Sequence, residues 1–330
     1  MENTIKQYEK IRQKMLAYQF ANYLIGWDSN TEAPDGCFPT RSLQISVLSE
    51  ESYRLQTAPE TLRIIDELFL KKGELDDEVL KHEIIKTKEG LDKLKKVPMN
   101  EYVDYMGVLA TGENIWGQAK RSKNFQLFQP VLEKIVAFNR KYIKYVETDK
   151  LKGYDVLLDE YEKGMTTKEY DAFFDLIKKD LVPFVKRVIE TNLKVNDEFN
   201  NKQYPKEQQK EFANYLVKVL GFDLNRGVMK ESEHPFTSGF GTTDVRVTNH
   251  YYEDNFTSSI FSIIHELGHA TYEQQCNPEL DATLSGGGGS MALHESQSRF
   301  YENIIGRSLE FWKVHFPELK KTFKKQLQGV

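Results

Sequence analysis

The chain has 330 residues, 39% hydrophobic and 29% charged, enough to bury one large core or two smaller ones. Its formal net charge of −5 lacks the basic excess of a dedicated nucleic-acid binder. No apolar run approaches the ~18 residues that cross a bilayer, and Met1–Gln19 has no secretory core, so no membrane association is expected. Cys37 and Cys276 stand far apart and in no metal-ligand spacing. No disulfide framework is therefore expected, and a reducing cytoplasmic location is the default.

In chain order, helical spacing of apolar residues runs from Ile5 to Ile25 through Tyr8, Ile11, Met15 and Tyr18. Pro34, Gly36 and Pro39 predict a loop from Asp28 to Pro39. Helices are expected over Arg41–Leu55, Ala58–Lys72 and Asp76–Lys95, and two or three more over Met99–Tyr145, punctuated by Gly107, Gly112 and Pro130. Thr166 with Glu169 forms a capping-box signal for a helix reaching about Val195, with Pro183 as a kink or break. A further helix is expected over Pro205–Leu220, stopped by Gly221. His234–Tyr252, with Gly239, Gly241 and alternating Val245 and Val247, reads as turn followed by strand. Helix returns at Asn255–Gln275, loop at Asn277–Ser290, and helix again from Ala292 nearly to the end, interrupted near Pro317. The expected fold is mainly α with a small β-sheet beside one decisive helix.

That helix carries His265-Glu266-Leu267-Gly268-His269, of the form H-E-x-x-H. Positions four apart share a helix face, so two imidazoles can grip one Zn²⁺ at about 2.0–2.1 Å each. Glu266 is angled to the same side and can take a proton from a water activated there. A third ligand must come from elsewhere. A metzincin would need Gly at 272 and His at 275, where this chain has Tyr272 and Gln275. A downstream helical glutamate is the other common solution, which makes this a gluzincin-type site. Glu295 is the leading candidate and Glu302 competes. Glu273 also competes, but lies too close in sequence to reach the open side of the metal. His294 reads as a neighbouring polar contact. Elsewhere, Lys86 stands where a second ligand to His82 would be needed, and Gly286–Gly289 lack the Lys-Ser/Thr of a phosphate loop, so they read as a flexible hinge.

Four blocks in order resemble those of the carboxypeptidase Taq family of metallocarboxypeptidases. They are HPF at His234–Phe236, DVRVT at Asp244–Thr248, HELGHATYEQ at His265–Gln274 and HESQSRFYEN at His294–Asn303. LIGWDSNTEAP around Trp27, WGQAKRSKNF from Trp116 and YDVLLDEYEKGMTT from Tyr154 are also similar. The resemblance implies His265, His269 and Glu295 as zinc ligands, with Co²⁺ a feasible substitute, and Glu266 as general base. It further implies that Asp244 orients a ligand histidine, that Arg246 holds its strand or a nearby carboxylate, and that His234 meets the substrate. Gln297 and Arg299 would brace Glu295, and the strand Asp244–Thr248 could pair with an extended peptide along its edge. A homodimer is implied by the family alone.

Two regions are expected in one continuous fold lacking its C-terminal part: a helical region over 1–200 and a zinc-binding catalytic region over 201–330. The family continues well beyond the His294-Glu295-Ser296 block, and the arginine implied to bind a substrate's C-terminal carboxylate belongs to that stretch. No such block follows Arg299. The expectation is a truncated zinc carboxypeptidase core removing C-terminal residues from peptides. The alternatives are an endo-acting oligopeptidase and a catalytically impaired zinc-binding fragment.

Overall fold

The computed structural model describes residues 1–330. Helix α1 spans Glu2–Thr31, six residues beyond the periodic stretch, because Trp27 is buried there against Phe236 with ring centroids 5.6 Å apart. The expected loop shrinks to a short segment around Asp35–Cys37, and Pro39 sits in the first turn of α2 (Phe38–Thr57), where its missing N–H is not needed. Helices α3 (Pro59–Leu70) and α4 (Glu78–Leu94) follow, the latter capped by Asp77 accepting from the Val79 and Leu80 amides. Tyr8, Ile64, Ile65, Leu68 and Ile84 form a small core between α1, α3 and α4. The stretch with Gly107 and Gly112 is one unbroken helix, α5 (Met99–Arg121), paired with α6 (Phe125–Val146). Gly112 serves close packing there, since a β-carbon would meet Val131 at 3.1 Å.

After α7 (Asp155–Tyr161), the Thr166–Glu169 capping box opens α8 (Thr167–Glu190), which ends five residues earlier than expected and carries Pro183 inside it. No residue of α8 is buried, and Phe173, Phe174, Leu176, Phe184 and Ile189 are exposed.

Helix α9 (Lys206–Val219) ends before Gly221, whose φ of +83° is the left-handed stop that glycine supplies. Three strands follow: β1 (Gly227–Glu231), which the sequence reading missed, β2 (Thr237–Gly239) and β3 (Val245–Asn249). Their order is β1-β3-β2, with β3 parallel to β1 and antiparallel to β2. This overturns the expectation that the Asp244–Thr248 strand offers an edge to a peptide. As the central strand it has neighbours on both sides, and the free edges belong to β1 and β2. Val245 and Val247 face a 19-residue core shared with α9, α10 (Phe256–Gln274) and α12 (Leu309–Thr322). Between α10 and α12 lies α11 (Met291–Arg299), which runs directly into a π-helical segment, Phe300–Ile305. The chain then breaks at Gly306–Ser308 rather than at Pro317, which α12 accommodates.

Two ties bind the first helices to this half. Tyr23 of α1 donates to the Asp244 carbonyl at 3.3 Å, and Arg246 lies over the Tyr23 and Trp27 rings at 5.5 and 5.6 Å. Glu83 of α4, fully buried, accepts from Arg12 at 3.0 Å and from the Leu284 amide at 2.7 Å. No helix is long and apolar enough to cross a membrane.

Candidate metal centre

Helix α10 starts at Asn255, whose side chain accepts from the Ser258 amide, and buries Ile260, Ile263, Ile264 and Leu267 in the main core. With that face committed, His265 and His269 project from the opposite side, their ring centroids 5.0 Å apart. Gly268 between them decides what comes next. A β-carbon there would stand 2.7 Å from Ser298 Cα and 2.9 Å from the Gln297 carbonyl, so only glycine lets the α11 backbone approach this closely. That approach delivers Glu295, whose Oε2 lies 3.6 Å from His265 Nε2 and 3.5 Å from His269 Nε2.

These three side chains are the group in the chain able to hold a metal ion, with donor atoms all within 4.8 Å of one another. The fit is good. Ligands about 2.0–2.2 Å from a tetrahedral ion lie about 3.3–3.6 Å from one another, matching the histidine–glutamate separations. Glu295 is set by Ser298, which donates to Oε2 at 3.0 Å, and by Arg299, which donates to Oε1 at 2.6 Å. Burial alone would raise its pKa, but hydrogen bonds from Arg299 and Ser298 and the nearby His265 hold it below the ordinary carboxylate value.

Each histidine is gripped at its other nitrogen. His265 Nδ1 lies 3.0 Å from Glu302 Oε2, and Glu302 is held by Arg299 and Arg307 at 3.3 and 2.6 Å. Glu302 follows Glu295 by seven residues, two helical turns on the same face, and lies in the π-helical segment; such local unwinding is frequent at functional sites. His269 Nδ1 lies 2.9 Å from His294 Nδ1, and His294 Nε2 in turn contacts Glu273. Burial, with His265 and His294 adding like charge, depresses the His269 pKa to about 4, so its ring stays neutral over a wide range. Glu266 is 7% exposed; burial raises its pKa against an opposing hydrogen bond from Thr237 Oγ1, 2.7 Å from Oε2.

The structure gives the remaining candidates other surroundings. Asp244 does not reach a histidine: Arg246 binds both its oxygens at 2.7 and 3.0 Å. The histidine-facing carboxylate is Glu302 instead, because Asp244 sits beside α1 and is drawn to Arg246 and Tyr23. Gln297 makes no side-chain hydrogen bond to Glu295; its carbonyl packs against Gly268. His234 is exposed on the wall of a cavity of about 720 Å³ that also holds His265, Glu266, Arg299, Glu302 and Arg307. The four glycines are not a loose hinge. Gly288 donates to both Glu273 oxygens at 3.0 and 3.1 Å, and Gly289 donates to Tyr272 Oη at 3.0 Å. Thr237, Glu273 and Glu302 had no role as supports in the sequence reading. Only Glu302 left a usable trace, its two-turn spacing from Glu295.

The carboxypeptidase Taq (M32) metallopeptidase family matches this chain over residues 7–330. The chain belongs to that family. Carboxypeptidase 1 of Bacillus subtilis is 36% identical over 325 residues, covering 98% of this chain and 64% of that protein. Thermostable carboxypeptidase 1 of Pyrococcus furiosus is 31% identical, covering 96% of this chain and 64% of its own length. Among solved structures, one described as BsuCP superposes with a TM-score of 0.95 at 35% identity, covering 99% of this chain and 66% of that one. The Pyrococcus furiosus carboxypeptidase gives 0.84 at 30% identity, covering 97% of this chain and 64% of its own. The chain thus spans slightly less than two thirds of the length of these relatives. Family membership implies a metal ion, and the His265–His269–Glu295 group is where the donors converge.

Proposed function

We propose that this chain carries the metal-binding and proton-transfer core of a zinc carboxypeptidase acting on peptides. The observation that carries the reading is the convergence of His265, His269 and Glu295 beside the buried Glu266, with His265 and Glu266 lining a cavity of about 720 Å³. When bound there, Zn²⁺ would polarise the scissile carbonyl and make a water acidic enough to attack at neutral pH. Co²⁺ suits the same donors. Thr237 holds Oε2 of Glu266, which leaves Oε1 to accept the proton of the attacking water and return it to the leaving amine. Burial strengthens the carboxylate's hold on that proton, as a shuttle requires.

The two arginines on the cavity wall are engaged with Glu295 and Glu302. Both are half exposed and keep N–H groups that could meet a substrate carboxylate, so release of a C-terminal residue is the readout that decides whether the core suffices. Metal content by elemental analysis, paired with C-terminal residue release from a blocked dipeptide, tests the proposal. One zinc per chain, with release abolished in Glu266→Gln, supports it in full. One zinc without release supports the metal core alone, and no bound metal refutes it. Equal cleavage of free and amidated C-termini would favour an endo-acting oligopeptidase instead.

A further inference from the structure

We infer that Gly287 and Gly288 of the glycine loop, with Glu273 and His294, form a positioning device for His269, fixing its tautomer and ring angle so that Nε2 is the atom presented to the metal. The inference rests on the metal-centre reading above and deepens it.

The case begins with the two ring nitrogens of His269. Nε2 lies 3.5 Å from Glu295 Oε2, and Nδ1 lies 2.9 Å from His294 Nδ1. For Nε2 to present a lone pair, the ring proton must sit on Nδ1 and be donated to His294 Nδ1. His294 must then carry its own proton on Nε2, where Glu273 accepts it. The chain of donors runs one way and closes on a carboxylate that has no proton to return. Metal-binding histidines usually donate straight to a carboxylate or carbonyl, as the His265–Glu302 contact illustrates; here a second imidazole is interposed.

The loop fixes the far end of this relay. The Gly288 amide donates to both oxygens of Glu273, at 3.0 and 3.1 Å, and shares Oε1 with His294. Position 288 has no room for a side chain: a β-carbon would stand 2.6 Å from Tyr272 Cε1 and 2.7 Å from His294 Nε2. Gly287 has a φ of +89°, the left-handed region that favours glycine. Gly289 differs. Its closest contact would be Leu293 Cδ2 at 2.9 Å, the end of a side chain that can turn aside.

The test is zinc affinity by competition with a chromogenic chelator, together with the visible spectrum of the Co²⁺-loaded protein. Wild type, His294→Ala, His294→Asn, Gly288→Ala and Gly289→Ala are compared, with melting of the metal-free proteins as the folding control. His294→Ala and Gly288→Ala should lose about 10–100-fold in affinity and change the Co²⁺ spectrum, with His294→Ala melting near wild type and Gly288→Ala lower. His294→Asn, which keeps an acceptor near the Nδ1 position, should recover part of the loss, and Gly289→Ala should bind like wild type. Wild-type affinity and spectrum in both His294→Ala and Gly288→Ala would overturn the inference and leave the metal reading standing. A wild-type protein that binds no metal would remove that reading itself. If Gly288→Ala does not fold, the His294→Ala and His294→Asn pair decides.

Discussion

Helices α8 and α10 are of similar length, 24 and 19 residues, yet they are held in opposite ways. Helix α8 has the fuller set of local signals: a reciprocal capping box and an apolar face at helical spacing. It buries no residue. Helix α10 has a single asparagine cap and a motif interrupted by Gly268, yet it buries eleven residues between β3, α9 and the π-helical segment. Local signals are sufficient to write a helix but do not locate it. A group that must hold three donor atoms in register needs its rotamers locked by packing, and α10 alone of the two offers that.

Substitutions can break this contrast or sharpen it. The largest effect should come from Leu267→Ala, which opens a cavity in the main core at a fully buried position. Denaturant unfolding should show a loss of about 2–5 kcal/mol. Gly268→Ala comes next, because a β-carbon 2.7 Å from the Ser298 backbone must push α11 away. It should cost about 1–3 kcal/mol and weaken metal binding by moving Glu295 off the histidines. Wild-type metal affinity in Gly268→Ala would show that the close crossing of α10 and α11 does not set the site.

The pH dependence should mark α10 as well. The His269 pKa is depressed from 6.5 to about 4 in the folded state, so the unfolded chain binds the proton more tightly. Its contribution to metal-free stability is fully present above about 6.5, declines as pH falls through that window, and is gone below about 4. Melting temperatures across this range, compared with those of His269→Gln, isolate the histidine's contribution. A slope unchanged by the substitution would contradict the assignment.

The effects on α8 should be small. Thr166→Ala removes one half of the capping box and should cost about 1 kcal/mol of local helix stability. Because α8 carries no buried contact, the loss should appear as faster amide exchange within Thr167–Glu190 and leave the global melt in place. Phe184→Ser should stay within about 0.5 kcal/mol of wild type, since the ring is already 53% exposed. A large destabilisation there would mean the exposed face of α8 is covered in solution.

Several features of this chain follow from short-range physics and were open to reading. His265 and His269 share a face because the α-helix repeats every 3.6 residues, and four positions return close to the same azimuth. Gly221 stops α9 because it accepts a left-handed φ, and the Thr166–Glu169 box closes two hydrogen bonds within one turn. The family resemblance was legible for the same reason, since its blocks are contiguous runs such as His265–Gln274.

Other features were settled only when distant segments met. Glu295 led the candidates for the third ligand and Glu273 was set aside as too close in sequence, but chain order gave Glu273 and Glu302 no place of their own. The crossing at Gly268 brings Glu295 against both histidines, the π-helical turn aims Glu302 at the back of His265, and the glycine loop holds Glu273 away behind His294. Asp244 was misread because its partners come from α1 and its own strand, more than two hundred residues apart in the first case. The strand expected to offer an edge became central once β1, with no strong alternation of its own, paired beside it. Helix faces, caps and stops are local energies, so the sequence by itself determined them; the roles of these carboxylates depend on which backbones can approach within a few ångströms, and only the tertiary structure decided that.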